Sequence, residues 1–223
     1  MRYSIQVTIV IILGLFLVLQ TLLGCSQGGP ERATGVYMLF DTSGTYTEEL
    51  KKAQGIINYL LGTLAPGDSM AVARIDSASF SEKDIMAKVT FDSRPSVSNK
   101  QKLRFRDTID EFVKNVKGSA YTDVSGGILQ GIEFLNETQS GKKYILVFSD
   151  LKEELPKGIV RDVPFSLEGF TVIALNVTKL WGDNANPREY MDRLEEWRTK
   201  VEQGGGQWKV INDLERLDRI FER

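Results

Sequence analysis

Short, predominantly apolar segments alternate with amphipathic segments along this chain, and that alternation constrains the fold more than any other feature. Three of the apolar segments run from Gly35 to Phe40, from Lys143 to Asp150 and from Phe170 to Val177. Strands that are apolar on both sides are typical of a parallel sheet whose two faces are both covered. Amphipathic segments such as Thr47 to Leu64 repeat apolar residues at helical spacing. The pattern therefore predicts a layered α/β domain.

Two further strands are predicted over residues 69–76 and 87–91, with no helix between them. Such a direct connection suits antiparallel neighbours, so one of the two is expected at an antiparallel edge. The remaining predictions are a strand over residues 207–211 and helices over residues 104–116, 122–139, 187–203 and 212–221, the last capped by Asn212. We expect a mainly parallel, doubly wound sheet of about six strands with helices on both faces, formed by residues 35–223.

Composition excludes several kinds of function. The 223 residues include no histidine and one cysteine. The lack of histidine excludes Ser-His-Asp and Cys-His nucleophilic machinery and most zinc sites, and a single cysteine cannot form an internal disulfide. The formal net charge of −2 gives no electrostatic reason to expect a nucleic-acid partner. Any chemistry would rest on carboxylates, hydroxyls, lysine or a hard metal ion.

The N-terminus carries a targeting signal. Arg2 is the only charged residue before Glu31, and the segment from Ile5 to Leu23 is almost wholly apolar. The apolar segment ends in Leu-Leu-Gly-Cys25, which is similar to a bacterial lipobox. That similarity implies cleavage before Cys25 and lipidation of its thiol.

We therefore expect residues 1–24 to be a lipoprotein signal peptide and residues 25–34 to be a tether. The alternative is an uncleaved, single-pass N-terminal anchor of about 20 apolar residues. In both cases the domain would lie outside the cytoplasm, in the cell envelope, and Ser26 is compatible with export to an outer membrane. A ten-residue tether reaches at most about 35 Å, so the domain would work close to the bilayer.

Polar residues stand at the ends of several predicted elements. Asp41 follows the first strand, Asp150 ends the strand that begins at Lys143, and Thr122 lies just before a helix. In a parallel sheet, strand carboxyl ends and helix N-termini share one edge, where functional residues collect. We expect these three loops to converge there.

The segment from Asp41 to Thr45 allows more than one chemistry. Its D-x-x-G-T string is similar to the nucleophile motif of aspartate phosphatases and P-type ATPases. Haloacid-dehalogenase-type phosphatases, however, use a second aspartate two residues later as general acid, and Ser43 cannot donate a proton usefully near neutral pH. Alternatively, Asp41, Ser43 and Thr45 hold a divalent cation, or they form a metal-free turn and helix cap.

Taken together, these loops resemble the von Willebrand factor type A domain and its metal-ion-dependent adhesion site. That family carries a D-x-S-x-S motif after the first strand, a threonine in a second loop and an aspartate after a later strand. The matching positions here are Asp41, Ser43, Thr45, Thr122 and Asp150. Thr45 replaces the usual serine but keeps a hydroxyl. The order of strands and helices also agrees, from Gly35 to about Phe221.

The resemblance implies Mg²⁺ or Mn²⁺ bound directly by Ser43 and Thr45. Thr122 would bind directly or through water, and Asp41 and Asp150 often act through water. Two carboxylates only just neutralise such an ion, and most of their charge would lie outside its direct ligands. The ion would therefore stay electrophilic and could accept an acidic side chain from a protein partner. The resemblance thus implies a membrane-tethered, metal-dependent adhesion or scaffold module that is not an enzyme. The alternatives are an aspartate-based phosphatase or phosphotransferase using Asp41, and a scaffold whose metal site has decayed.

Two residues after the fifth strand, Trp181 and Asp183, are expected on the metal edge, where they would contact a partner or pack within their loop. Trp197 and Trp208 are expected in the core. Asp123 is expected to cap a helix or to orient the site.

Several charged residues are expected to be solvated. They include Glu153, Glu154 and the basic segment from Asn99 to Arg106. For the basic segment of a tethered domain, contact with anionic lipid is the alternative.

Overall fold

The computed structural model describes residues 33–42, 49–76, 81–116, 118–177 and 187–221. Within these ranges the strands are β1 (Thr34–Asp41), β2 (Ser69–Ile75), β3 (Ile85–Thr90), β4 (Lys142–Phe148), β5 (Phe170–Leu175) and β6 (Gln207–Ile211). The α-helices are α1 (Leu50–Thr63), α2 (Pro95–Asn115), α3 (Val124–Glu137) and α4 (Pro187–Gln203). Two 3-10 helices span Glu82–Asp84 and Leu214–Ile220.

The strands form one six-stranded sheet in the order β3-β2-β1-β4-β5-β6. Every neighbouring pair is parallel except β2 and β3, which are antiparallel. The predicted fold class is therefore confirmed, including the antiparallel edge strand. The central strand β1 has almost no exposed surface, because it lies between β2 and β4 and is covered on both faces.

Alternate residues of β1 point to two separate cores. On the first face of the sheet, Val36, Met38 and Phe40 pack with apolar residues of α1 and α2. On the second face, Tyr37 and Leu39 pack with apolar residues of α3 and α4. The alternation follows from the two-residue period of a strand.

The connection from β4 to β5 contains no helix across residues 149–169, all of which the structure describes. We call this segment the β4–β5 coil. Phe165 and Leu167 of the coil are buried in the second core, and the Leu167 amide donates to the carbonyl oxygen of Gly204 at 2.7 Å. The coil thus occupies part of the layer that helices fill elsewhere on this face.

Two predicted elements differ from the structure. Helix α2 begins at Pro95 rather than Arg104, with Pro95 in its first turn, where proline fits a helix best. The final segment is a 3-10 helix capped by Asp213, not a helix capped by Asn212. Asn212 does not cap this helix, because its side-chain oxygen accepts a hydrogen bond from the Val177 amide at 2.8 Å.

None of the helices in the described ranges combines the length and apolar character needed to cross a bilayer. The predicted signal peptide, tether and lipidation site at Cys25 lie outside these ranges.

Candidate metal centre

Strand β1 places Asp41 at the carboxyl edge of the sheet. Asp41 is the last residue of β1 and is only 1% exposed. Phe40 is paired with Phe148 in the parallel register, so the next residue of each strand lies side by side. The Ser149 hydroxyl donates to Oδ2 of Asp41 at 2.9 Å. The carboxylate is therefore held in place by the end of the neighbouring strand.

Asp150 lies in a tight turn directly after β4. Its Oδ1 accepts a hydrogen bond from the Lys152 amide at 2.8 Å, and its main-chain oxygen accepts one from Arg193 Nε at 2.8 Å. Leu151 has a φ of 65°, a left-handed conformation that costs a side-chain-bearing residue free energy. The Ser149 hydroxyl supports the turn by accepting from the Leu151 amide at 3.0 Å.

The two carboxylates influence each other electrostatically. Burial is the main cause that raises the pKa of Asp150 above its usual range, and the negative charge of Asp41 raises it further. The Lys152 amide and the positive charge of Arg193 act in the opposite direction. A cation placed between the carboxylates would stabilise the ionised form of Asp150.

Thr122 is brought to the same edge by backbone pairing. It is 4% exposed and forms an antiparallel bridge with Glu154, with N–O distances of 2.8 and 2.9 Å. Earlier in the same loop, the Ser119 amide donates to the carbonyl oxygen of Thr42 at 2.8 Å. The loop before α3 is thus joined both to the loop after β4 and to the loop after β1.

The N-terminus of α3, next to Thr122, is held by two acidic side chains. Asp123 is fully buried, caps α3 by accepting from the Gly126 amide at 2.7 Å, and pairs with Arg161 Nη2 at 2.8 Å. Glu153 accepts from the Ser125 amide at 2.7 Å. The expectation that Glu153 is solvated was therefore wrong. No sequence signal pairs Glu153 or Arg161 with α3, because both belong to the β4–β5 coil.

The residues present fit a hard divalent cation. Asp41, Asp150 and Thr122 offer carboxylate and hydroxyl oxygens, which Mg²⁺ and Mn²⁺ prefer over nitrogen or sulfur. Among the described residues, no three Asp, Glu, Cys or His side chains gather in a cluster that could hold a metal by themselves. The predicted hydroxyl ligands Ser43 and Thr45 lie outside the described ranges.

The other residues singled out in the sequence divide into two groups. Trp197 is 2% exposed and donates its indole N–H to the Leu151 carbonyl oxygen at 2.9 Å, and Trp208 packs partly buried against the second core. Trp181 and Asp183 lie outside the described ranges.

Comparison with known proteins gives similarity in structure only. No family model matches the sequence, and no curated protein matches it significantly. A von Willebrand factor type A protein from Catenulispora acidiphila aligns with 84% of this chain at 15% identity and a TM-score of 0.55. The pilus adhesin SpaC from Lactobacillus rhamnosus GG aligns with 86% at 11% identity and a TM-score of 0.53.

The matched regions cover 41% and 29% of those two proteins, so this chain corresponds to less than half of either. The described part of this chain has the fold of a von Willebrand factor type A domain.

Proposed function

We propose that this chain is a membrane-tethered, divalent-metal-dependent protein-binding module of the bacterial cell envelope. The observation that carries the proposal is the meeting of Asp41, Thr122 and Asp150 at the carboxyl edge of a von Willebrand factor type A fold. This edge is where ligands bind in open α/β sheets.

The metal would be Mg²⁺ or Mn²⁺. Ser43 and Thr45 would supply hydroxyl ligands, together with Thr122, and the carboxylates of Asp41 and Asp150 would supply charge directly or through water. When bound, the ion would provide an electrophilic position for an oxygen ligand from outside the protein. Ser149, the Lys152 amide and Arg193 would keep the two aspartates oriented through the hydrogen bonds described above.

The partner would be a protein that offers an Asp or Glu side chain. If both aspartates act through water, their charge lies outside the direct ligands of the ion, so an additional carboxylate that binds the ion directly would be favourable. This mode of recognition needs no bond to be broken, and the proposed role is adhesion or scaffolding rather than catalysis. The structural similarity to a pilus adhesin supports that role.

Membrane attachment would come from the N-terminal segment. The sequence Leu-Leu-Gly-Cys25 supports a lipid anchor on the extracytoplasmic side, and the apolar segment from Ile5 to Leu23 would serve as the anchor if it were not cleaved. Residues 25–34 would then tether the domain formed by residues 35–223.

Calorimetric titration of Mg²⁺ and Mn²⁺ tests the metal site. The protein would be the segment from Glu31 onward, which forms a compact unit, beside its Ser43→Ala and Asp150→Asn variants. We expect binding by the parent and its loss in both variants. Asp107→Asn, at an exposed carboxylate on α2, is the matched control and should bind like the parent.

Two results would contradict the proposal. Absence of binding, even with a short acidic peptide present, would indicate a scaffold whose metal site has decayed. Tight binding that is indifferent to Ser43, combined with formation of a phosphorylated Asp41 from phosphate esters, would support the phosphatase alternative.

A further inference from the structure

The chain reaches the folded domain at the edge of the sheet opposite the candidate metal centre. The Thr34 amide, at the start of β1, donates to Oδ1 of Asp68 at 2.7 Å. Oδ2 of Asp68 accepts from the Ala65 amide at 2.7 Å, in the turn that follows α1. Asp68 thus ties the beginning of the domain to the end of α1. We call this region the amino edge.

The first half of α2 lies at the same amino edge. Lys102 of α2 donates its ammonium to the carbonyl oxygen of Leu64, directly after α1. In addition, the Phe91 amide, just before α2, donates to the Asp68 carbonyl oxygen at 2.8 Å. These contacts place the start of α2 beside the point where the N-terminal segment joins the domain.

This half of α2 is strongly cationic. No acidic residue occurs between Asp92 and Asp107, whereas the interval contains five cations, namely Arg94, Lys100, Lys102, Arg104 and Arg106. Arg94 and Arg106 pair with the flanking aspartates. Lys100 and Arg104 are exposed, stand four residues apart on one side of the helix, and form no ion pair with any residue in the described ranges.

An apolar side chain is exposed among these cations. Leu103 is 51% exposed, and cations stand on both sides of it in the sequence, at Lys102 and Arg104. It lines a groove between α1 and α2 with a volume of about 440 Å³. Leu61 and Leu103 provide the apolar lining of the groove, while Lys102 and Arg106 provide positive charge.

We propose that Lys100, Leu103 and Arg104, with the adjoining groove, dock the domain onto an anionic phospholipid surface. This inference rests on the membrane tether of the proposed function. Exposed cations around an apolar side chain match a bilayer interface, where phosphate groups lie above acyl chains. A tether of at most about 35 Å keeps the amino edge within reach of that interface.

Docking at the amino edge gives the domain a defined orientation. An eight-residue strand such as β1 spans roughly 26 Å at about 3.3 Å per residue. The carboxyl edge, with Asp41 and Asp150, lies at the other end of the strands and would not belong to the docked surface. The candidate metal centre would thus remain free to bind a protein while the domain is docked.

The test uses the full chain incorporated into nanodiscs of phosphatidylcholine alone or of phosphatidylcholine with phosphatidylglycerol. Hydroxyl-radical oxidation of Leu103, read by mass spectrometry, reports its exposure, and Val160 on the β4–β5 coil is the internal reference. We expect oxidation of Leu103 relative to Val160 to fall several-fold in the anionic nanodiscs and to recover at high salt.

Charge reversal identifies the residues responsible. Each Lys or Arg near an anionic surface shifts the docking equilibrium about fivefold, so Lys100→Glu with Arg104→Glu should shift it by roughly 25-fold or more and restore oxidation of Leu103. The matched control is Lys114→Glu, an exposed cation near the other end of the same helix, which should leave the protection unchanged. Because all three positions are exposed, circular dichroism should show that the variants remain folded.

Several outcomes would overturn the inference. Equal oxidation of Leu103 in both kinds of nanodisc, with the chain anchored, would overturn docking while leaving the tether intact. If Lys114→Glu also abolished the protection of Leu103, docking would depend on the net charge of the protein and not on this surface. If inorganic phosphate lowered the oxidation of Leu103 in neutral nanodiscs, the groove would be a binding site for a free anion and not for a lipid surface. A chain that fails to co-purify with either kind of nanodisc would overturn both the tether and the docking.

Discussion

The two faces of the sheet are built differently, although each is covered by helices. The first face packs mainly hydrocarbon against hydrocarbon, with Ile57 and Leu60 of α1 buried in the same core as Val36, Met38 and Phe40, although Ser98 of α2 is also buried there. The second face also buries polar groups. The Tyr37 hydroxyl donates to Gln130 Oε1 at 2.8 Å, and Asp123 pairs with Arg161. The first face therefore contributes mainly apolar burial, while the second also fixes the loops around the candidate metal centre.

Close packing of α3 accompanies this arrangement. Gly127 and Gly131 of α3 face Leu39 and Tyr37, and a Cβ at either glycine would come within 2.7 or 2.8 Å of those side chains. In contrast, Gly62 on α1 faces open space, with nothing within 4 Å of an added Cβ. Glycine is thus required by packing on the second face but not at this position on the first.

The largest predicted effect concerns the buried ion pair of the second face. Arg161→Ala would leave the fully buried carboxylate of Asp123 without its cation, and breaking a buried pair in this way costs about 3–5 kcal/mol. We expect a loss of that size in the free energy of unfolding, measured by urea denaturation. Mg²⁺ affinity should fall as well, because Asp123 adjoins Thr122.

Arg198→Ala provides the matched control. Arg198 pairs with Glu195 on the exposed side of α4, and both side chains are at least half exposed. Such pairs contribute at most about 1 kcal/mol. A similar loss in the Arg161 and Arg198 variants would remove the distinction between the buried pair and a surface pair.

An intermediate effect is predicted for the glycines of the two faces. Gly131→Ala forces a Cβ against the Tyr37 ring and should destabilise the domain by about 1–3 kcal/mol. Gly62→Ala, in an exposed and open helical position, should stabilise it by about 0.5–1 kcal/mol. Thermal denaturation of both variants measures the difference. Stabilisation by both substitutions would show that the second face tolerates the added methyl group.

The smallest predicted effect is a pH dependence of the free energy of unfolding, caused by Asp150 in the loop after β4. The pKa of Asp150 is raised in the folded state, so its ionised form is less favourable there than in the unfolded chain. The resulting cost to stability is present at neutral pH and disappears as the pH falls through that raised pKa. Asp150→Asn should therefore stabilise the metal-free domain at neutral pH and have little effect in acid.

The same ionisation would govern metal binding. Protonation of Asp150 competes with Mg²⁺, so calorimetric affinity should weaken as the pH is lowered from neutral through the raised pKa. An affinity that increases in acid would exclude Asp150 from the metal site.

Sequence patterns predicted the strands better than they predicted the connections between them. Apolar segments such as Tyr144 to Phe148 identify a buried strand by themselves, and this made the sheet predictable. The beginning of α2 at Pro95 was missed, because its cationic first half has few buried positions and shows no apolar stripe. The final cap was misassigned, because the Asn212 side chain is used by the distant Val177 amide.

The candidate site was only partly accessible to the same reasoning. Strand order places Asp41, Thr122 and Asp150 at one edge, and a parallel topology makes that placement predictable. The partners that hold this edge together, such as Arg161 and Glu153, come from an irregular coil. Their contacts depend on the path of the coil over the second face, which hydrophobic periodicity does not encode.

The hydrogen bond between Trp197 and the Leu151 carbonyl has a practical consequence. The indole is buried, its N–H contacts the residue directly after Asp150, and the Lys200 ammonium lies 4.7 Å from the ring centroid. Indole emission responds to charge and to small shifts of a hydrogen-bonded neighbour. Once Trp181 and Trp208 are replaced by phenylalanine, the emission of Trp197 should report events at the carboxyl edge in real time without any added label.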